Sequence, residues 1–411
     1  MRKIAVIFAA ALSSTLLLSS TASATGFRLP EQSATATGMA SAFVGQADDV
    51  SAAWYNPAGL TRLDGTQIVA GIVPIYASLT HDTTAGTTDA SDRTIHLPVY
   101  VYAAHKLNDR LSLGLSMNSP FGLSTDWADS SATRYVATFS KVVTFNINPN
   151  IAYKMSDNLS LAFGIDYMKI RATMENMLDL SGIGLGDQNF RLNGDGDGWG
   201  LNAAAHYKAT DALNLGFSYR SRIKTAIEGT ADVNAIAQSN PGSTEITLPD
   251  IIHFGASYKA SEKLTLNADL EYTLWSTYDR MVITSNTLLA LTGGATDTQT
   301  NEFQWKDTWC LRFGGQYILS DPWKLRAGIL YDKNPVPEDR FDTRIPDADR
   351  LGLSVGTGYA SGKITVDAAY MYLMFMDRTI SDSLADGTTD TLNGDYNSEA
   401  HMASIMIGYK F

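Results

Sequence analysis

Apolar and polar residues alternate one for one along most of this chain. Leu264, Leu266, Ala268, Leu270, Tyr272 and Leu274 interleave with Thr265, Asn267, Asp269, Glu271 and Thr273. Leu213, Leu215, Phe217 and Tyr219 interleave with Asn214, Gly216, Ser218 and Arg220, and the same beat runs through residues 159–167, 323–331 and 364–372. Successive side chains of a strand point to opposite faces, so a period of two predicts strands. Many of these runs reach the roughly nine to eleven residues that a tilted strand needs to cross a bilayer. Tight polar turns recur at Leu107–Arg110, Ser156–Asn158, Ala209–Ala212, Ala260–Lys263, Ser320–Pro322 and Ser361–Lys363. Longer loops separate them near residues 81–93, 119–141, 176–188, 230–245, 284–302, 334–348 and 380–396. Thirteen connections predict fourteen strands. Short turns alternating with long loops, around an even strand number, are the asymmetry of a bacterial outer-membrane barrel.

The ends and the composition narrow the choice, because a soluble sandwich alternates as well. Arg2 and Lys3, the apolar stretch Ile4 to Leu18 and the small residues Ala22-Ser23-Ala24 form a secretory signal, so residues 1–24 are expected to be removed and the mature chain to begin at Thr25. An uncleaved anchor helix is the alternative. Losing Arg2 and Lys3 and no acid takes the net charge from −12 to −14, which argues against nucleic acid as a partner. Cys310 is the single cysteine, so no internal disulfide can hold the fold. Charged residues make up 18%, below the roughly 25% of a soluble domain. Yet the longest later apolar runs, Ile68–Tyr76 and Ala368–Met376, are about half a membrane-spanning helix. A transmembrane β-barrel in the bacterial outer membrane satisfies all of this, and closure removes the sheet edges that hydrocarbon would not tolerate. The last strand sets Ile405, Ile407, Tyr409 and Phe411 on one face, which resembles the signal read by the barrel-assembly machinery.

Residues 25–64 break the alternation and are rich in small side chains, as in Ser33-Ala34-Thr35-Ala36-Thr37-Gly38. Fourteen strands enclose a lumen wider than wall side chains can fill, since about eight strands is the tightly filled case. The expected fold is therefore all-β: a 14-stranded antiparallel transmembrane β-barrel over residues 65–411, with residues 25–64 as an N-terminal hatch, or plug, inside the lumen. A disordered periplasmic tail is the alternative for that segment, which Phe43, Trp54, Tyr55 and Leu60 argue against.

The run Ala47-Asp48-Asp49-Val50-Ser51-Ala52-Ala53-Trp54-Tyr55-Asn56-Pro57-Ala58-Gly59-Leu60 resembles the hatch of the FadL family of long-chain fatty-acid transporters, with Asn56-Pro57-Ala58 as its hallmark. Gly26–Ser33, Ser119-Pro120-Phe121-Gly122-Leu123 and Ile345–Arg350 are similar to further stretches of that family, in order along the chain. The resemblance implies a passive carrier of hydrophobic small molecules, either long-chain fatty acids or aromatic hydrocarbons, that are released sideways through the wall at a kink in the third strand. Asn118, Ser119, Pro120, Phe121 and Gly122 are the candidate kink, since Pro120 removes a ladder donor and Gly122 permits a bend. An ordinary loop start is the other reading of that stretch.

A carboxylate ligand would call for a cation in the lumen. By parity Arg220, Arg222 and Lys224 fall on the polar side of the seventh strand, and Lys169 and Arg171 near the top of the fifth. Asn193-Gly194-Asp195-Gly196-Asp197-Gly198 opens like a calcium loop, but Ala204 stands where a bidentate glutamate is needed. The six histidines show no metal-ligand spacing, so neither metal nor cofactor is expected. A general porin and a barrel hydrolase are the rival functions. The porin predicts an unplugged lumen, and the hydrolase a His–Ser pair or acid cluster that no local motif supplies. Expected partners are the hydrophobic substrate, outer-membrane lipid and lipopolysaccharide, with the chain a monomer.

Overall fold

The computed structural model describes residues 26–235, 239–387 and 390–411, and the expected signal peptide, residues 1–24, lies outside the described residues. Fourteen antiparallel staves form the wall. They are β1 (Thr66–Ile72 and Ile75–Thr83), β2 (Thr88–Ala90, Ile95–His96 and Val99–Lys106), β3 (Leu111–Asn118 and Gly122–Asp126), β4 (Phe139–Lys154), β5 (Leu159–Asp179), β6 (Asp187–Lys208) and β7 (Leu213–Arg220 and Ile223–Val233). Then come β8 (Asn240–Leu248 and Ile251–Lys259), β9 (Leu264–Thr273 and Arg280–Ser285), β10 (Thr298–Glu302 and Thr308–Ser320), β11 (Trp323–Asp332), β12 (Arg350–Ser361), β13 (Ile364–Phe375 and Arg378–Ile380) and β14 (Gly394–Lys410). Each stave pairs with its neighbours in sequence, and β1 closes the cylinder on β14, from Gln67 opposite Lys410 to Ile72 opposite Ile405.

The short turns share one local design. Lys106–Leu111, Lys154–Leu159, Lys208–Leu213 and Lys259–Leu264 each read Lys, any residue, a short polar residue, an acid, any residue, Leu. The short polar side chain accepts from the backbone N–H groups two and three residues on: Ser156 from Asn158 and Leu159, Thr210 from Ala212 and Leu213, Ser261 from Lys263 and Leu264. Asn108 does the same for Arg110 and Leu111. Such side chains mimic a backbone turn and so stop the ladder where the chain must reverse. Directly before these lysines, Tyr153, Tyr207 and Tyr258 point outward and are exposed, an aromatic girdle at the edge of the apolar belt.

Alternation survives folding almost everywhere: in β5, Leu161, Phe163 and Ile165 face out while Ala162, Gly164 and Asp166 are buried inside. Besides a register shift at Ile318–Ser320 at the end of β10, β7 is an exception. Asn202 pairs with Arg220 and Asp195 with Glu228, so seven steps of β6 face eight of β7. One extra residue flips every later side chain to the other face. Beyond Ser221, Ile223, Thr225 and Ile227 point in, and Arg222, Lys224 and Ala226 point out.

The lumen is filled by residues 26–64, which fold into α1 (Ala34–Thr37), α2 (Ala52–Tyr55) and a 3-10 turn, Pro57–Arg62. Between Phe27 and Leu63 only Asp48 and Arg62 are exposed. The small residues read in the sequence let this segment lie against the wall backbone: a Cβ on Gly356 of β12 would come within 2.9 Å of the Gly38 Cα. Wall groups satisfy the segment's irregular backbone, as buried polar groups require. Asp269 accepts from the N–H groups of Phe43 and Val44 (both 2.9 Å), Ser354 from Ala40 (2.8 Å) and Tyr100 from Ala34 (3.1 Å). Asn150 donates to the Ala53 carbonyl (3.1 Å) and Tyr102 to that of Gln32 (2.7 Å).

Candidate transport site: inner segment, broken strand and wall opening

Asn56 holds the inner segment's fold together. Its Oδ1 accepts from the Ala58 N–H (3.2 Å), capping the 3-10 turn, while its Nδ2 donates to the carbonyls of Val44 (2.9 Å) and Ala205 of β6 (3.0 Å). Pro57 follows at the first position of the turn, where its missing N–H costs nothing. Ala58 is fully buried. The triplet therefore ties a turn, a neighbouring loop and the wall into one joint.

β3 breaks at the stretch singled out by sequence. Asn118 ends its lower half and Gly122 begins its upper half, while Ser119, Pro120 and Phe121 leave the sheet toward the lumen. There they pair with the start of the inner segment: Leu29 N–H donates to the Pro120 carbonyl (2.8 Å) and Gly122 N–H to that of Phe27 (2.9 Å). Gln32 Nε2 donates to the Ser119 carbonyl (3.0 Å). Phe27 lies among Trp275 (5.0 Å between centroids), Tyr278 (5.7 Å), Phe121 (5.9 Å) and Trp305 (6.0 Å). Arg28 forms a buried ion pair with Glu271 of β9, and Gly26 N–H donates to Asp347 (2.6 Å). Burial pushes the Asp347 carboxyl up to about 7, against the pull of the Arg350 guanidinium.

The inward step of β3 opens the wall. β2 and β3 are paired from Lys106–Ser112 up to Val101–Met117 and no further. The next bond across is Asp92 N–H to the Asp126 carbonyl (2.7 Å), so a window lies between. A cavity of about 520 Å³ leads through it, lined by Ile95, Leu97 and Val99 on one side, Leu123 and Val143 on the other, and Leu29 and Phe121 from within. Ile95 (64% exposed) and Leu97 (61%) stand free of any strand partner on that side, as suits contact with lipid. A larger cavity of about 770 Å³ lies below the inner segment, but it is a polar vestibule lined by Arg62, His206 and the turn lysines Lys106, Lys154, Lys208 and Lys259.

The cations expected in the lumen are not gathered there. Lys169 and Arg171 share the outward face of β5 with Ile165 and Tyr167, and Lys169 pairs with Asp195 at 2.5 Å. Arg222 and Lys224 are turned outward by the extra residue in β7 and pair with Asp250 (2.7 Å) and Glu245 (2.5 Å). Arg222 and Lys224 correct the parity argument, which carried one alternation through a bulge, and Lys169 and Arg171, expected as lumen cations near the top of the fifth strand, lie on its outer face instead. Arg220 does face the lumen, where it pairs with Asp166 (2.6 Å), lies over the Trp54 ring at 3.7 Å and donates to the Trp54 carbonyl (2.7 Å). Its charge is committed to anchoring the inner segment. Asn193–Gly198 runs as plain strand in β6, opposite Thr173–Met168 of β5. No group of three or more metal-binding side chains occurs among the described residues. Sequence reasoning missed Phe27, Arg28 and Glu271, although Glu271 stands out as an acid on the lumen face of an alternating strand.

Compared with known proteins, residues 15–411 match the family model described as outer membrane protein transport protein (OMPP1/FadL/TodX). The long-chain fatty acid transport protein of Escherichia coli K12 is 28% identical over 407 residues, 87% of this chain and 90% of that one. The crystal structure of a Pseudomonas aeruginosa FadL homologue superposes with a TM-score of 0.82 at 22% identity, covering 94% of this chain and all of the other. The Ralstonia pickettii toluene transporter TbuX gives 0.72 at 16% identity, over 92% and 98% of the two chains. With the match running through the inner segment and every stave of the wall, this chain belongs to the OMPP1/FadL/TodX family of outer-membrane transporters of hydrophobic compounds and is not an enzyme.

Proposed function

We propose that the protein carries long-chain fatty acids across the outer membrane, with residues 25–64 as the hatch and the window between β2 and β3 as the exit. The observation that carries this reading is the pairing of the broken stretch of β3 with Phe27 and Leu29. The same backbone that closes the lumen also lines the only described break in the β2–β3 ladder, so undocking the hatch start would join lumen to membrane. The route suits a greasy tail, since each buried CH₂ is worth roughly 0.8 kcal/mol and a water-filled pore would forfeit that. The fatty-acid carrier of E. coli named above supports this substrate. The rings around Phe27 support a second reading, in which the substrate is a monoaromatic hydrocarbon, as for the toluene transporter whose fold is shared.

Uptake of radiolabelled oleate and toluene, in cells lacking their own carrier, tests both readings. Oleate uptake that falls in an Asn56→Ala/Pro57→Gly variant supports a fatty-acid carrier gated by the hatch. Toluene uptake alone would keep the route and change the substrate. Free passage of small sugars with neither substrate would mean an open pore and end the argument.

A further inference from the structure

An amphiphile leaving through the window has a head as well as a tail; Leu97, Val99 and Leu123 serve the tail, and the acids on the lining, Asp92, Asp347 and Glu399, would repel an anionic head. An ionised carboxylate drawn along an apolar wall is costly unless a partner meets it. Three lysine or arginine side chains line the cavity: Arg28, Lys141 and Arg350. Two are committed, Arg28 to Glu271 and Arg350 to Asp332 (2.9 Å). Lys141 forms no ion pair among the described residues, and the titratable side chain that feels its charge across the window is His96.

The position of Lys141 is as telling as its freedom. It sits on the exposed, outward face of β4, directly opposite Ser124 in the upper half of β3, and so at the outer rim of the window. Two and four residues below it on the same face are Val143 and Phe145, both exposed to lipid. Arg171 is paired opposite Val143 and Lys169 opposite Phe145. The outward face therefore turns from apolar to charged at this level, which marks the boundary between hydrocarbon and head groups. A long flexible ammonium at that boundary can reach either way.

Taking the window as the exit, and so resting on the function proposed above, we propose that Lys141 is a carboxylate-holding residue at the outer rim of the exit. It pairs with the head group of an anionic single-chain amphiphile while the tail slides past Leu97, Val99 and Leu123 into the membrane. An uncharged molecule with the same tail gains nothing from it.

The test compares uptake of oleate with uptake of oleyl alcohol, in cells lacking their own carrier that express the wild-type chain, Lys141→Gln or Lys141→Arg. The expected result is a fall in the oleate-to-alcohol uptake ratio of roughly fivefold in Lys141→Gln, the size of a partly exposed charge pair, with the ratio restored in Lys141→Arg. A ratio unchanged in Lys141→Gln overturns the proposal, whether both rates hold or both fall together, and leaves the exit itself standing. Uptake of neither compound by the wild-type chain would overturn the transport reading and this inference with it.

Discussion

Replacing Phe27 with alanine tests whether the start of the inner segment is a latch. The ring is 3% exposed and packs against Phe121, Trp275, Tyr278 and Trp305. Truncating a buried phenylalanine to alanine costs about 3–5 kcal/mol, from lost transfer energy and the cavity left behind. Once residues 26–29 undock the ring has left that pocket, so most of the cost falls on the docked state alone. At 1.36 kcal/mol per factor of ten, the undocked population should rise by about two to three and a half powers of ten. Leu29 N–H to Pro120, Gly122 N–H to Phe27 and Arg28 to Glu271 all break in the same event. Hydrogen exchange read by mass spectrometry on a peptide spanning residues 119–124 reports it, because the Gly122 amide donates to the Phe27 carbonyl. A peptide from β12 serves as the control. Unchanged exchange at Gly122, or an equal rise in β12, would refute a local latch.

The other expectations concern stability and placement. Asn56→Ala removes three side-chain hydrogen bonds, to the carbonyls of Val44 and Ala205 and from the Ala58 N–H, at about 1 kcal/mol each, so Tm should fall clearly; an unchanged Tm would mean the side chain holds nothing. Burial raises Asp347 and Asp349 from 3.8 to about 7. The folded chain then binds more protons than the unfolded one from about pH 4 to 7, so stability falls as pH rises through that window. Asp347→Asn/Asp349→Asn should flatten the slope in denaturant melts at pH 4.5 and 7.5, and an identical slope would count against it. Lys169→Gln/Arg171→Gln, on the outer face, should leave oleate binding within about twofold, as exposed pairs are worth little; loss of binding would place them on the ligand path after all.

Sequence alone determined whatever depends on neighbours along the chain. Alternation marks strands because the side-chain period of a strand is two wherever that strand lies, and the strand number followed from turns such as Ser156–Asn158 that carry their own stop signal. The Asn56-Pro57-Ala58 joint was legible for the same reason, since its cap reaches only two residues. The break at Ser119–Phe121 was legible as a place, but its direction was not. It turns inward because Phe27 and Leu29, some ninety residues earlier, supply the backbone partners that the sheet no longer does. Facing also lay beyond the sequence wherever the count changed. The single extra residue in β7 is defined only against β6, so Arg222 and Lys224 could not be assigned to a side until the two staves were paired. Arg28 and Glu271 are 243 residues apart, and only closure of the barrel around its inner segment brings opposite charges together where water cannot separate them. Local geometry is written in steps of one and two residues, whereas a lumen is made by contacts between distant ones, and those only the tertiary structure decided.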